Sequence, residues 1–520
     1  MDAETQSHAD SLASQAVTGV ERSPFQLLVT DCMMEVLGLG PGFARELVRL
    51  ERAITPPHAR VHVGHAARLC FLPQQQALAA LDAFSAHVHI WYPILRPGFT
   101  ERYVSVLSGP LAPGSDSCLV LSVAAVGTLA LEDQAVRTGA PSSSSSSSYP
   151  ENSSELYLEA ATASLPAVLI DESIESILAL VLLSIYHCCL SRPCQAYDYA
   201  MIASFKVQNL LKRVHEVGKE EDELYEQAKR CYWAVLLLES ELRDQLDMVD
   251  SGIWNCDDRV DLPDSRRSWH FHLDAGSPGT TTASPDGSII SPASADGGPT
   301  ASDKAQAYFL AEIAVRRMLH RCYTAIRRTP QGDIVYAPTI ALELETQLDE
   351  WQSYLPDAVH FRHPGAPEPL SNFLRVQYCC CKISIYWSAV YQCSQDGGAT
   401  TPAILEHCER FFHAYMQSIP SMLMAVRDCI VNRWTLYATI FTTSMAVLHA
   451  AATPCLRTGC AVDWARLLAC LRSTRTVDAR IVQASPSLSL LHRTLADRLA
   501  DVFPDESTIY NSSPSHTVIV

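Results

Sequence analysis

Between Ala228 and Pro263 the chain reads AKRCYWAVLLLESELRDQLDMVDSGIWNCDDRVDLP, and this stretch limits the fold more than any other. Cys231, Val235, Leu238, Leu242 and Leu246 recur at spacings of four, three, four and four, which places them on one continuous apolar stripe of a helix. Such a helix needs other helices to cover it. Glu239 precedes Arg243 by four residues, the favourable order for an ion pair, so the two are expected to pair on the wet side. Ser251-Gly252 is expected to stop the helical pattern, and Leu262-Pro263 to close an acidic loop.

The rest of the composition agrees with helices packed on helices. Of 520 residues 48% are apolar, enough for one large core, and only 18% are charged, against about 25% in an average soluble domain. The net charge of −18 argues against gripping DNA through a general basic surface, because Lys and Arg neutralising phosphates supply most non-specific affinity. The start, MDAETQSHAD, has no apolar core of a signal peptide, and the 18 cysteines read as reduced core residues of an intracellular protein. The longest apolar runs, Cys118 to Leu131 and Ile177 to Leu190, fall short of the roughly 20 residues of a membrane span and read as buried helices.

Taken in order, residues 1–24 are polar and expected to be disordered, and 25–65 form a short helical lead-in broken at Gly38-Leu39-Gly40-Pro41-Gly42. Residues 66–500 are expected to form the main domain. It is interrupted by a Ser-rich loop at 141–154 and by a disordered Gly/Pro/Ser/Thr insertion at 273–304, and 501–520 is a flexible tail. Pro166 and Arg192-Pro193 punctuate three helical segments, and no strand-like alternation competes. The expected class is all-α: a large bundle or array of stacked helical hairpins with disordered insertions.

Four groups of residues are candidates for chemistry. His58, His62 and His65 have the spacing of a shared helix face, but no Cys or carboxylate nearby completes a metal set, so they read as surface histidines. Arg317, Arg321 and Arg328 would line one helix face and read as a solvated row. Cys188, Cys189 and Cys194, and Cys379, Cys380 and Cys381, are the tightest thiol clusters, both in apolar helical surroundings. Asp257-Asp258-Arg259-Val260-Asp261 has the Asp-Asp-x-x-Asp spacing with which helical isoprenoid synthases hold magnesium on a diphosphate, yet it falls in a loop and lacks a second acidic element. No catalytic, cofactor-binding or metal-binding residue is assigned.

The order Arg230, Trp233, an aliphatic run, Glu239, Leu246, Ser251-Gly252 and Leu262-Pro263 resembles the signature region of the fungal-specific transcription factor domain, the helical middle homology region of zinc binuclear cluster regulators. Phe84, His89, Pro93, Ile94, Leu95 and Phe99 resemble the segment that opens that domain. Trp351, Leu355 and Pro356 resemble an element of its second half. The family usually has Asp near position 239, and Gly-Arg-Pro where this chain has Ser251-Gly252-Ile253.

The resemblance implies a nuclear transcription regulator or co-regulator, not an enzyme, controlling a metabolic gene set, including the secondary-metabolite kind. Its implied partners are other regulators or a second copy of itself and a small-molecule effector, with DNA reached only indirectly, no membrane and no cofactor. The family's DNA-reading module opens with Cys-x-x-Cys. No two of the 18 cysteines are three apart, so no zinc cluster is expected in this chain. The alternative is a helical magnesium-dependent prenyl-diphosphate enzyme using Asp257-Asp258-x-x-Asp261.

Overall fold

Local signals in the chain start and stop its helices, and packing fixes them. The computed structural model describes residues 31–54, 74–138, 153–217, 223–246, 248–265, 269, 271, 300–322, 326–328, 334–361, 368–395 and 401–503. His58, His62 and His65, the serine run 142–148, most of the 273–304 insertion and both chain ends lie outside these residues.

The first half contains α1 (Asp31–Val36), α2 (Phe43–Arg52), α3 (Gln74–Phe84), α4 (Phe99–Ser108), α5 (Ser115–Thr138), α6 (Ser153–Thr162), α7 (Leu165–Ile170), α8 (Ile174–Cys189), α9 (Pro193–Val217) and α10 (Glu223–Gln245). Gly38 and Gly42, at φ of 70° and 84°, make the break between α1 and α2. Pro166 lies in the first turn of α7 and begins that helix instead of ending one. A π turn, Ser85–His89, extends α3, and His89 Nε2 accepts from the Leu95 amide at 3.2 Å, which pins the Pro93-Ile94-Leu95 turn.

The second half contains α11 (Ala301–Cys322), a ribbon of β1 (Ile326–Arg328) and β2 (Ile334–Tyr336), α12 (Pro338–Ser353), α13 (Pro369–Gln395), α14 (Pro402–Asp428), α15 (Arg433–Ala452), α16 (Pro454–Gly459), α17 (Trp464–Ser473), α18 (Ala479–Gln483) and α19 (Pro486–Val502). Side-chain caps begin several of these helices: Asp463 accepts from the Arg466 amide at 3.0 Å and Ser485 from the Leu488 amide at 3.3 Å. Pro420 lies inside α14 and leaves the Met416 carbonyl without its usual i+4 donor. The Cys470 thiol of α17 reaches that carbonyl at 3.8 Å.

The fold is all-α, with the antiparallel ribbon, Arg327 opposite Val335, as its described strand pair. That ribbon went unanticipated because two three-residue strands carry almost no periodic signal. α11 ends at Cys322, so Arg328 belongs to β1 and does not share a helix face with Arg317 and Arg321. α11 also starts at Ala301, inside the stretch read as linker, because Thr300 and Asp303 cap each other's amides at 3.0 and 3.2 Å.

Successive helices pack as neighbours: α3 on α5, α5 on α6 and α8, α8 on α9, α9 on α10; then α11 on α13, α13 on α14, α14 on α15, α15 on α19. α10 meets α11 and α15, and α8 meets α15, which joins the two halves. α2 closes onto α19 through the buried Glu51 carboxylate, which accepts from Ser485 Oγ at 2.5 Å and the Ser487 amide at 3.2 Å. α5 and α15 are each long and apolar enough to cross a membrane, longer than the bare apolar runs suggested, but 61% and 83% of those stretches are packed inside the protein.

Candidate functional site

α10 is buried on every side from Ala228 to Leu238, not along one stripe. Cys231, Val235, Leu238, Leu242 and Leu246 are all within the core, and so are Tyr232, Trp233, Leu236 and Leu237 on the other faces. A helix sheathed in this way can carry polar groups only where each finds a partner.

Arg230, fully buried, is the first such group. Its guanidinium bonds Glu226 at 2.9 Å within α10, Gln306 of α11 at 2.7 Å, and the carbonyls of Pro93 and Asp264 at 3.4 and 3.3 Å. It also stacks over the Trp269 ring at 4.6 Å. Glu226 in turn accepts from the Asp264 amide at 3.0 Å. Two segments of the resemblance, 137 residues apart in sequence, therefore meet at one side chain. Trp233 Nε1 donates to the Asp261 carbonyl at 3.0 Å, and Tyr232 to the Ile253 carbonyl at 2.8 Å, so α10 itself holds the loop that returns along it.

Glu239 corrects the sequence expectation. It is buried, and accepts from the Ser251 amide at 3.1 Å and from Ser251 Oγ at 2.6 Å, while Arg243 turns away to pair with Asp250. The i,i+4 rule describes an exposed helix face, and this face is covered by the loop. Burial pushes the Glu239 carboxyl above its ordinary range, with the Ser251 hydrogen bonds and Arg243 opposing. The helix ends at Gln245, ahead of Ser251-Gly252; Gly252, at φ 74°, instead starts the short 3-10 turn Ile253–Cys256.

Glu241 is the hub that sequence reasoning missed. Its carboxylate accepts from Arg316 of α11, Gln377 of α13 (3.3 Å), Thr435 of α15 (3.0 Å) and Asn432 just before α15. One residue thus ties α10 to three helices of the second half. A space of about 40 Å³ lies against Glu241, Gln245 and Arg316. Glu312, one turn before Arg316, is fully enclosed, and burial pushes its carboxyl up to about 7 while Arg316 pulls it down. Nothing in the SELRD run marks Glu241 as different from an exposed acid; the only signal was the uninterrupted apolar run before it.

The remaining candidates fall elsewhere. Asp257 and Asp258 take up Arg317, each at 3.1 Å, and Asp261 accepts from Tyr225 at 3.4 Å on the other side of the loop. Two of the aspartates share Arg317 and the third faces Tyr225, and among the described residues no group of three His, Cys, Asp or Glu could hold a metal ion. The alternative built on that motif loses its geometric basis. Arg321 is exposed. Cys188, Cys189, Cys194 and Cys379 to Cys381 are buried free thiols, and burial raises the pKa of each.

Two larger cavities flank this core. A groove of about 330 Å³ lies between α3 and α4. A basin of about 960 Å³ is lined by the end of α5, the end of α14, Arg433 and the α18 region.

The fungal specific transcription factor domain matches residues 81–240, from the end of α3 to within α10. A protein of Aspergillus rugulosus named "Putative transcription factor ecdB" is 43% identical over 512 residues, covering 94% of this chain and 83% of that one. The chain belongs to the fungal-specific transcription factor family. No solved structure gives a significant match. Membership makes this a fungal transcription regulator, and family and relative both point away from an enzyme. In the regulator the matched segment ends one residue before Glu241, so the hub marks the seam between that segment and the helices beyond it.

Proposed function

We propose that this regulator works in the nucleus, controls a metabolic gene set of the secondary-metabolite kind, and reaches DNA through partner regulators or a second copy of itself, in response to a small-molecule effector. The observation that carries this reading is the 43% identity to a transcription factor along nearly the whole helical body. The net charge of −18 supports indirect DNA contact, since an acidic chain is repelled by phosphates on average and general basic contacts supply most non-specific affinity. The Glu241 hub supports a regulatory role for the body, because a single polar junction links helices from both halves.

Deleting the gene and profiling transcripts is the test, together with the location of a fluorescent fusion. Loss of messages from one coherent metabolic pathway and nuclear fluorescence are expected; an unchanged profile would overturn the reading. In a gel shift the purified protein alone is expected to give no specific complex with promoter DNA. A specific complex would remove the partner-mediated part.

A further inference from the structure

The basin of about 960 Å³ is within the roughly 300–1,000 Å³ of small-molecule sites. Its charge runs against the rest of the molecule. Arg137, Arg427, Arg433 and Arg480 line it with Asp133 and Asp478, and Asp428 beside them pairs with Arg137 and Arg427, so four positive groups meet three negative in a chain of net charge −18. Arg427 and Arg480 stand at the rim with side chains 62% and 65% exposed, and each pairs only loosely or locally, with Asp428 at 3.4 Å and Asp478 at 2.8 Å. Between these heads Leu423, Val426, Val477 and Ile481 supply an apolar part of the lining, beside the polar Gln134, Thr138, Ser191 and Thr476. Cationic rims beside an apolar lining favour one kind of guest.

We propose that this basin binds a low-molecular-weight organic anion with an apolar body and a carboxylate or phosphate head. Calling that anion the effector rests on the regulatory reading above; the binding itself does not.

The position of Arg433 says how occupancy would be felt. It pairs with Asp133 of α5 at 2.6 Å, and it opens α15 between Asn432 and Thr435, two of the four residues that hold Glu241. An anion that draws Arg433 from Asp133 loads the first turn of α15, and through it the hub on α10. Arg137 pairs with Asp428 at 2.8 Å across the same opening, so a second bridge between α5 and α14 is exposed to the same competition.

Calorimetric titration of the full chain with octanoate and with octyl phosphate, and with octanol as the uncharged control, tests the site. Saturable binding of at least one anion is expected, weakened at least tenfold in Arg427→Glu/Arg480→Glu and reduced by salt. Octanol is expected to respond to neither change. Octanoate alone would identify a carboxylate head, octyl phosphate alone a phosphate head. Binding of neither anion, or equal binding by the double variant, overturns the proposal. Val477→Trp crowds the apolar part of the lining without changing charge and is expected to weaken binding of the anion, which keeps the test open if the double variant does not fold. Lost transcripts in the deletion strain with no anion binding would sink the site and leave the regulatory reading. Anion binding with an unchanged transcript profile would do the reverse.

Discussion

At Gly127 a single methyl group meets backbone. A Cβ there would lie 1.9 Å from the Ala80 carbonyl oxygen, so α5 and α3 approach as closely as a hydrogen side chain permits. A Gly to Ala change inside a helix normally gains about 1 kcal/mol. Here the overlap must push α3 off α5, and Gly127→Ala is expected to lower stability by about 3 kcal/mol, read from the urea midpoint. A midpoint that stays or rises would show that the helices can separate freely. Glu312 gives a pH-dependent counterpart. Its carboxyl is raised by burial from an ordinary 4.5 to about 7, so the folded chain holds a proton that the unfolded chain has released between those values. Its contribution is therefore fully present below about pH 4.5 and lost as pH rises through 7. Measured against Glu312→Gln, which cannot ionise, the wild type should lose on the order of 3 kcal/mol between pH 4.5 and 8. A difference that stays flat with pH would mean the carboxyl is solvated.

At the scale of elements, α10 shows what a sequence can and cannot disclose. The run CYWAVLLL with its stripe at Cys231, Val235 and Leu238 announced a helix that must be covered, and it is covered. Periodicity reports one face, however, and says nothing of what lies opposite. Glu239 and Glu241 look alike in ESELRD, yet one caps the return loop and the other anchors three helices. The Asp257-Asp258 pair was legible as acidic and as a motif for the alternative only, while its actual partner, Arg317, about 60 residues away in sequence, left no local signal. Glu241→Ala should expose that difference. It strips the carboxylate from Arg316 while leaving the cation buried, a change expected to cost about 3 kcal/mol. Glu241→Gln keeps the shape and should cost less. Equal and small losses for the two would mean that Arg316 finds Glu312 a sufficient partner, at 3.4 Å in the native fold.

Across the whole molecule, the segment 81–240 that carries the family match is expected not to fold by itself. It ends inside α10, a helix whose faces are covered partly by α11 and α15 from the second half. Arg230 needs Gln306, and the helix's last turns need Arg316, Asn432 and Thr435. A fragment of residues 74–265, which completes α10 and its return loop, still leaves the α10 and α8 surfaces that meet α15 open to water. That fragment is expected to keep helical circular dichroism, bind anilinonaphthalene sulfonate and melt over a broad range, whereas the full chain melts in a sharp step without binding the dye. A sharp, cooperative melt of the fragment would show that the first half buries its own core. The dependence bears directly on regulation. Because α10 is completed by helices from the other half, a shift in the first turn of α15 is expected to disturb the packing of the matched segment through Asn432 and Thr435.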